Sequence, residues 1–199
     1  VSVDAATTTR AALLRRGIRL ECLTLSWNVV GTVVVIAAAL ASGSVALAGF
    51  GLDSLIEIGA SSVVIWHLRE TADADRERRA LRLIGFAFVA LSIYVAAQAA
   101  YTLIAADHPG HAPLGTAWTA ATCLAMLALA AAKARTGTLL GNRTLQTEAR
   151  VTMVDALLAA AVFLGLLLNG VLGWWWADPL AGLVIVYYGF REAREALAA

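Results

Sequence analysis

Gly51-Leu52-Asp53-Ser54-Leu55-Ile56-Glu57 lies inside an apolar run, about residues 44–67, that holds no lysine or arginine. A third acid, Asp155, lies in another apolar run, about 145–169. A charged side chain at a bilayer centre costs about 2.5–3.5 kcal/mol on insertion scales. Acids retained at that cost point to a cation, a proton or both, rather than to packing.

The composition makes the membrane reading firm. Apolar residues form 60% of the 199, charged residues 15%, and mean hydropathy is +0.77. A soluble domain carries about 25% charge. The apolar residues fall in six blocks, about 21–42, 44–67, 83–106, 114–133, 145–169 and 174–191. Each is near the roughly 20 residues that cross the hydrocarbon as a helix. The expected fold is therefore an all-α integral membrane protein with six transmembrane helices, forming one transmembrane domain over 1–199. Ala41-Ser42-Gly43-Ser44 is the turn between the first two spans. Asp178 and Pro179 are expected to open the sixth, Asp178 as its cap. Trp174, Trp175 and Trp176 before it resemble an interfacial aromatic belt.

Orientation follows from the bases. Arg10, Arg15, Arg16 and Arg19 precede span one. Arg69, Arg76, Arg78, Arg79 and Arg82 lie between spans two and three, and Lys133, Arg135, Arg143 and Arg150 around the joint of spans four and five. Arg191 and Arg194 follow span six. With six spans all fifteen bases fall on one side, so both termini are expected in the cytoplasm. The bases then mark topology, and a net charge of +1 gives no reason to invoke nucleic acid. The charged segment Arg69–Arg79 reads as a solvated helix with internal ion pairs. No cleavable signal peptide is expected, since the first twenty residues lack an apolar core. Thr9–Leu20 reads as a short interfacial helix with Leu13, Leu14 and Ile18 on one side. Cys22 and Cys123 are too few for a disulfide framework, and Cys123 reads as a buried thiol.

The three acids share a depth. Asp53 and Glu57, four apart, occupy one helix face. Counted from Ser44 they lie about 13 and 20 Å into the membrane, and Asp155, on a helix of opposite direction, about 15 Å in. Three oxygen ligands on two helices suit a divalent cation such as Zn²⁺, Mn²⁺ or Mg²⁺. The same carboxylates, Asp53, Glu57 and Asp155, can carry protons, so metal and proton compete for one site. Glu148 shares the face of Asp155 about 10 Å nearer the cytoplasm. It is either a weaker metal ligand on the inward path or an interfacial acid paired with a base such as Arg150. Asn28 and Gln98 are candidates for hydrogen bonds between helices. His67 reads as an interface residue. Asp107-His108-Pro109-Gly110-His111 reads as a solvated turn with weak metal-binding potential.

The stretch Gly43-Ser44-Val45-Ala46-Leu47-Ala48-Gly49-Phe50-Gly51-Leu52-Asp53-Ser54-Leu55-Ile56-Glu57 resembles the second transmembrane helix of the cation diffusion facilitator family. Asp178-Pro179-Leu180-Ala181-Gly182-Leu183 through Tyr188-Gly189-Phe190-Arg191-Glu192-Ala193 is similar to its sixth. The resemblance implies a dimeric, proton-coupled exporter of divalent metal, working by alternating access. It also implies a four-residue site on the second and fifth helices, of which Asp53, Glu57 and Asp155 match three. The fourth position is Val151, where the family usually has His or Asp. Glu148, Cys123, water or a small helix shift are the substitutes considered for it. No cytoplasmic C-terminal domain is expected after span six, so membrane helices would hold the dimer, with span three as a candidate contact.

The expected protein is thus a secondary transporter in the plasma membrane, crossing it several times. It exports Zn²⁺ or a related ion by proton antiport. No enzymatic activity and no prosthetic group are expected: the spans hold no nucleophile–His pair, and the sequence has no Walker loop or cofactor fingerprint. Its partners are the metal ion, protons, the lipid bilayer and a second copy of itself. The alternative, motivated by Val151, is a non-transporting membrane subunit or regulator with a degenerate site.

Overall fold

The computed structural model describes residues 2–69, 74–106 and 108–198, with side chains within 10–59, 82–106, 108–142 and 145–198. Expectations for His67, for Asp107 and for the segment Arg69–Arg79 fall outside the described side chains, and so do those for Arg143.

Six helices make up the described residues: α1 (Ser2–Ser42), α2 (Val45–Arg69), α3 (Ala74–Ala105), α4 (Pro113–Leu140), α5 (Arg143–Leu172) and α6 (Ala177–Ala198). Four described stretches are long and apolar enough to cross a membrane: Arg10–Ser42, Arg82–Ala105, Pro113–Leu140 and Leu145–Leu172. The outer surface is what lipid requires. Ile104 and Leu40 are 86% and 83% exposed, and large apolar side chains face outward on every helix.

The helices run past the apolar blocks. Thr9–Leu20 is not a separate interfacial helix but the continuous start of α1. Nothing there breaks it: no proline occurs, and Gly17 is buried where α1 passes the Leu145 side chain of α5. Likewise α4 continues past Lys133 to Leu140. It stops at Gly141, whose φ of 63° is the left-handed value that glycine adopts without penalty. Asn142 then caps α5, its side chain accepting from the Leu145 N–H at 3.0 Å. Hydropathy ends where charges begin; hydrogen-bonded helix does not.

α2 is the central helix, touching α1, α3, α5 and α6, while α4 lies along α5 and α3 along α6. Lipid supplies no hydrophobic driving force between helices, so close packing of small residues takes its place. Ala38, Ala39, Ala46, Ala99, Ala159 and Ala181 are all in the core. Gly165 lets α5 approach α6 so closely that an added Cβ would lie 2.7 Å from the Ala181 Cβ.

One end of the bundle is tied by polar contacts among the α1–α2, α3–α4 and α5–α6 connections. The Gly110 N–H donates to the Ser42 carbonyl at 2.7 Å, and the Asn169 amide to the Pro109 carbonyl at 3.1 Å. His108, although exposed, stacks on Trp175. Asp178 corrects another expectation. Instead of capping its own helix, its buried carboxylate accepts from the Ser44 hydroxyl and from the first N–H groups of α2, at 2.9 Å from Val45 and 3.5 Å from Ala46. The reason is position: Asp178 lies within the first turn of α6, facing the N-terminus of α2, whose free N–H groups attract an anion.

Lys133 is a further correction. It is fully buried, not a surface marker of topology, and its ammonium group donates to Glu21 Oε2 at 2.9 Å and to the Thr152 hydroxyl at 3.1 Å. This ties α4 to α1 and α5. Every arginine with a described side chain is exposed, as the topology reading expected of the bases in general.

Two stability outcomes follow. Asp178→Ala strands buried donors at the start of α2, an effect of about 1–3 kcal/mol. Its melting midpoint in detergent should fall clearly, with Asp178→Asn intermediate; an unchanged midpoint would contradict the cap. Lys133→Met leaves Glu21 buried without its partner, a loss of about 3–5 kcal/mol. Adding Glu21→Leu should restore most of the melting midpoint, whereas independent losses from the two changes would refute the pairing.

Candidate metal site

α2 and α5 each bring acid to one place. On α2 the spacing of four puts Asp53 and Glu57 one turn apart on the same face. On α5 the facing position is Asp155. One carboxylate oxygen from each of the three lies within 4.8 Å of the others. Asp53 and Asp155 are 4% and 2% exposed, and Glu57 is partly buried. The structure thus brings together three acids that lie on two different helices, as helix spacing led one to expect.

The oxygens have few partners. Asp53 Oδ2 and both oxygens of Asp155 are buried with no hydrogen bond. Glu57 Oε2 accepts from the Asn28 side-chain amide of α1 at 3.1 Å. Buried polar groups are nearly always paired, and unpartnered carboxylate oxygens within a cluster of three acids are a high-energy arrangement. A divalent cation satisfies all of them at once, and so does protonation.

Glu148 is elsewhere. It is half-buried and outside the cluster formed by the other three acids. Its charged neighbours are Glu21 and Lys133, on the side of the α4–α5 turn, and its charge also reaches Glu57. Val151, one turn before Asp155, is partly buried and brings no ligand atom. The adjoining Thr152 is occupied, donating to the Glu148 carbonyl at 2.9 Å while accepting from Lys133. Cys123 packs against the apolar core.

Two features escaped the sequence reading. The apolar run that holds Asp53 and Glu57 contains no base of its own, yet the buried Lys133 of α4 carries a charge that acts on Glu57 and Asp155. Its partner Glu21 sits at the edge of an apolar block near Arg19, where a charge ordinarily marks the membrane surface. A lone lysine among fourteen arginines was the available signal. Asn28 was expected to bond between helices, and it does, but to an acid of the cluster rather than to a structural partner. Near it, Trp27 stacks on Trp118 and donates to Thr122 at 3.0 Å, fixing α1 against α4.

No curated relative matches the chain at a significant level. The sequence profile of the cation efflux transmembrane domain matches residues 22–198, nearly the whole chain and every helix that forms the cluster. On this match, and with its apolar helices and exposed apolar surface, the chain belongs to the cation efflux family, membrane transporters of metal cations rather than enzymes.

Proposed function

We propose that this transporter exports a divalent cation, Zn²⁺ or a related ion, from the cytoplasm in exchange for protons. The observation that carries the reading is the meeting of Asp53, Glu57 and Asp155 within 4.8 Å, with buried oxygens that lack hydrogen-bond partners. Such a set binds a divalent ion or protons, and the two exclude each other. In the cycle, metal arrives from the cytoplasm past Glu148 and displaces protons from the three carboxylates. The helices then rock so that the site opens outward. Protons from outside reload the acids and release the ion.

In this reading all six helices cross the plasma membrane, α2 and α6 included, with both termini in the cytoplasm. The three polar-tied connections lie at one end of the bundle, and the exposed arginines belong to sequence at the other. The working form is a homodimer. The outward stripe of α3, with Leu83, Phe86, Ile93 and Ile104 exposed, offers the apolar surface for the contact.

The test is ion uptake into proteoliposomes with an imposed pH gradient and a panel of Zn²⁺, Cd²⁺, Mn²⁺, Co²⁺ and Mg²⁺. Asp53→Ala and Asp155→Ala should each reduce flux to the level of protein-free vesicles while the protein remains monodisperse. Gradient-driven flux that survives both changes would overturn the assignment.

Val151 favours a second reading, a relative that kept the fold and lost transport. Val151→His separates the two. Under the export reading the native chain already carries an ion, and the added imidazole moves preference toward Zn²⁺. Zinc flux in Val151→His, with none for any ion in the native chain, would establish the degenerate form instead.

A further inference from the structure

The geometry points to Asn28 of α1 as the fourth protein ligand of the transported ion, making the site an all-oxygen one built on three helices. This rests on the carboxylate cluster being the transport site.

A cation bound by three carboxylates needs at least one more donor to reach four-coordination. α5 does not provide it. Val151 has no donor atom, and the Thr152 hydroxyl is committed to Lys133 and the Glu148 carbonyl. Asn28 is 5% exposed, and its amide terminus lies 3.1 Å from Glu57 Oε2. Ligand oxygens at 2.0–2.1 Å from an ion are about 3.3 Å apart in a tetrahedral shell and about 3.0 Å apart in an octahedral one. The Asn28 terminus is therefore already at ligand-to-ligand spacing from one member of the cluster.

The amide can serve both states of the site. Its nitrogen donates to the Glu57 carboxylate when no ion is held there. A half-turn of the amide brings its oxygen to nearly the same point, ready to accept a cation. α1 is held in register for this by the neighbouring residue, since Trp27 bonds Thr122 and stacks on Trp118.

The consequence is ion choice. A neutral amide oxygen in place of imidazole leaves no nitrogen in the shell, and oxygen donors suit Mn²⁺ and Mg²⁺ better than a histidine-containing set does. The side chain at position 28 thereby sets the balance between harder and softer divalent ions.

The test measures binding by the purified full chain, with Mn²⁺ and Zn²⁺ in equilibrium dialysis and with Co²⁺ by its visible d–d absorption. Asn28→Ala should weaken Mn²⁺ binding by about tenfold or more, and Asn28→Asp, which keeps an oxygen, should largely retain it. Asn28→His should raise the Zn²⁺ to Mn²⁺ affinity ratio by about tenfold and shift the Co²⁺ bands, which a purely structural role would not do. If Asn28→Ala does not fold, the Asp and His variants, both polar, still supply the affinity ratio and the spectrum. Native affinities, ratio and spectrum in every Asn28 variant that folds, with binding lost in Asp53→Ala, would overturn the Asn28 assignment and leave the carboxylate site standing. Native binding in Asp53→Ala would overturn the carboxylate site and Asn28 with it.

Discussion

Three carboxylates meeting in a medium of low dielectric is the constraint on which the rest of this molecule depends. Asp53 and Asp155 bury oxygens that no donor reaches, and one oxygen of each lies within 4.8 Å of one from Glu57. Like charges at that separation repel, and burial removes the water that would soften the repulsion. The arrangement is tolerable only if a cation or protons come to it. Holding such a cluster between α2 and α5 costs stability unless one of these comes to it.

The surrounding structure holds the strained pair of helices where they are. α2 contacts four other helices, and its N-terminus is held by the Asp178 carboxylate of α6. α5 is drawn to α6 through Gly165 and fixed to α4 and α1 through Lys133. These ties sit on either side of the cluster along the bundle. Between them the core mixes alanines, which permit close approach, with larger interlocking side chains such as Leu47, Phe50, Phe88, Val95, Leu158 and Ile185.

Most of the site was readable in the sequence because acids within apolar runs are expensive and therefore rare. The spacing of Asp53 and Glu57, and the equal depth of Asp155 on an antiparallel span, needed only helix geometry. What could not be read depended on contacts between distant parts of the chain. Lys133 and Glu21 are separated by 112 positions, and each sits at the edge of an apolar block where a charge ordinarily marks the membrane surface. Asp178 sits where a residue capping its own helix would sit, and only the fold reveals that it serves α2, 133 positions away from Val45. Asn28 had the right residue type for an interhelical bond, but its pairing with Glu57 depends on how α1 packs against α2. Helix lengths were underestimated at Ser2–Leu20 and beyond Lys133, because hydropathy reports the lipid boundary and not the end of the hydrogen-bonded ladder.

The central claim is that the three acids are kept together at a cost in stability that a bound cation repays. Thermal unfolding of the purified chain, with and without a saturating divalent ion, tests it most directly. The comparison is with a variant carrying Asp53→Asn, Glu57→Gln and Asp155→Asn together. The account predicts that the neutralised variant melts at a higher temperature than the native chain in the absence of metal, and that only the native chain gains stability when metal is added. A neutralised variant that melts lower than the native chain, or one that metal stabilises equally, would contradict it.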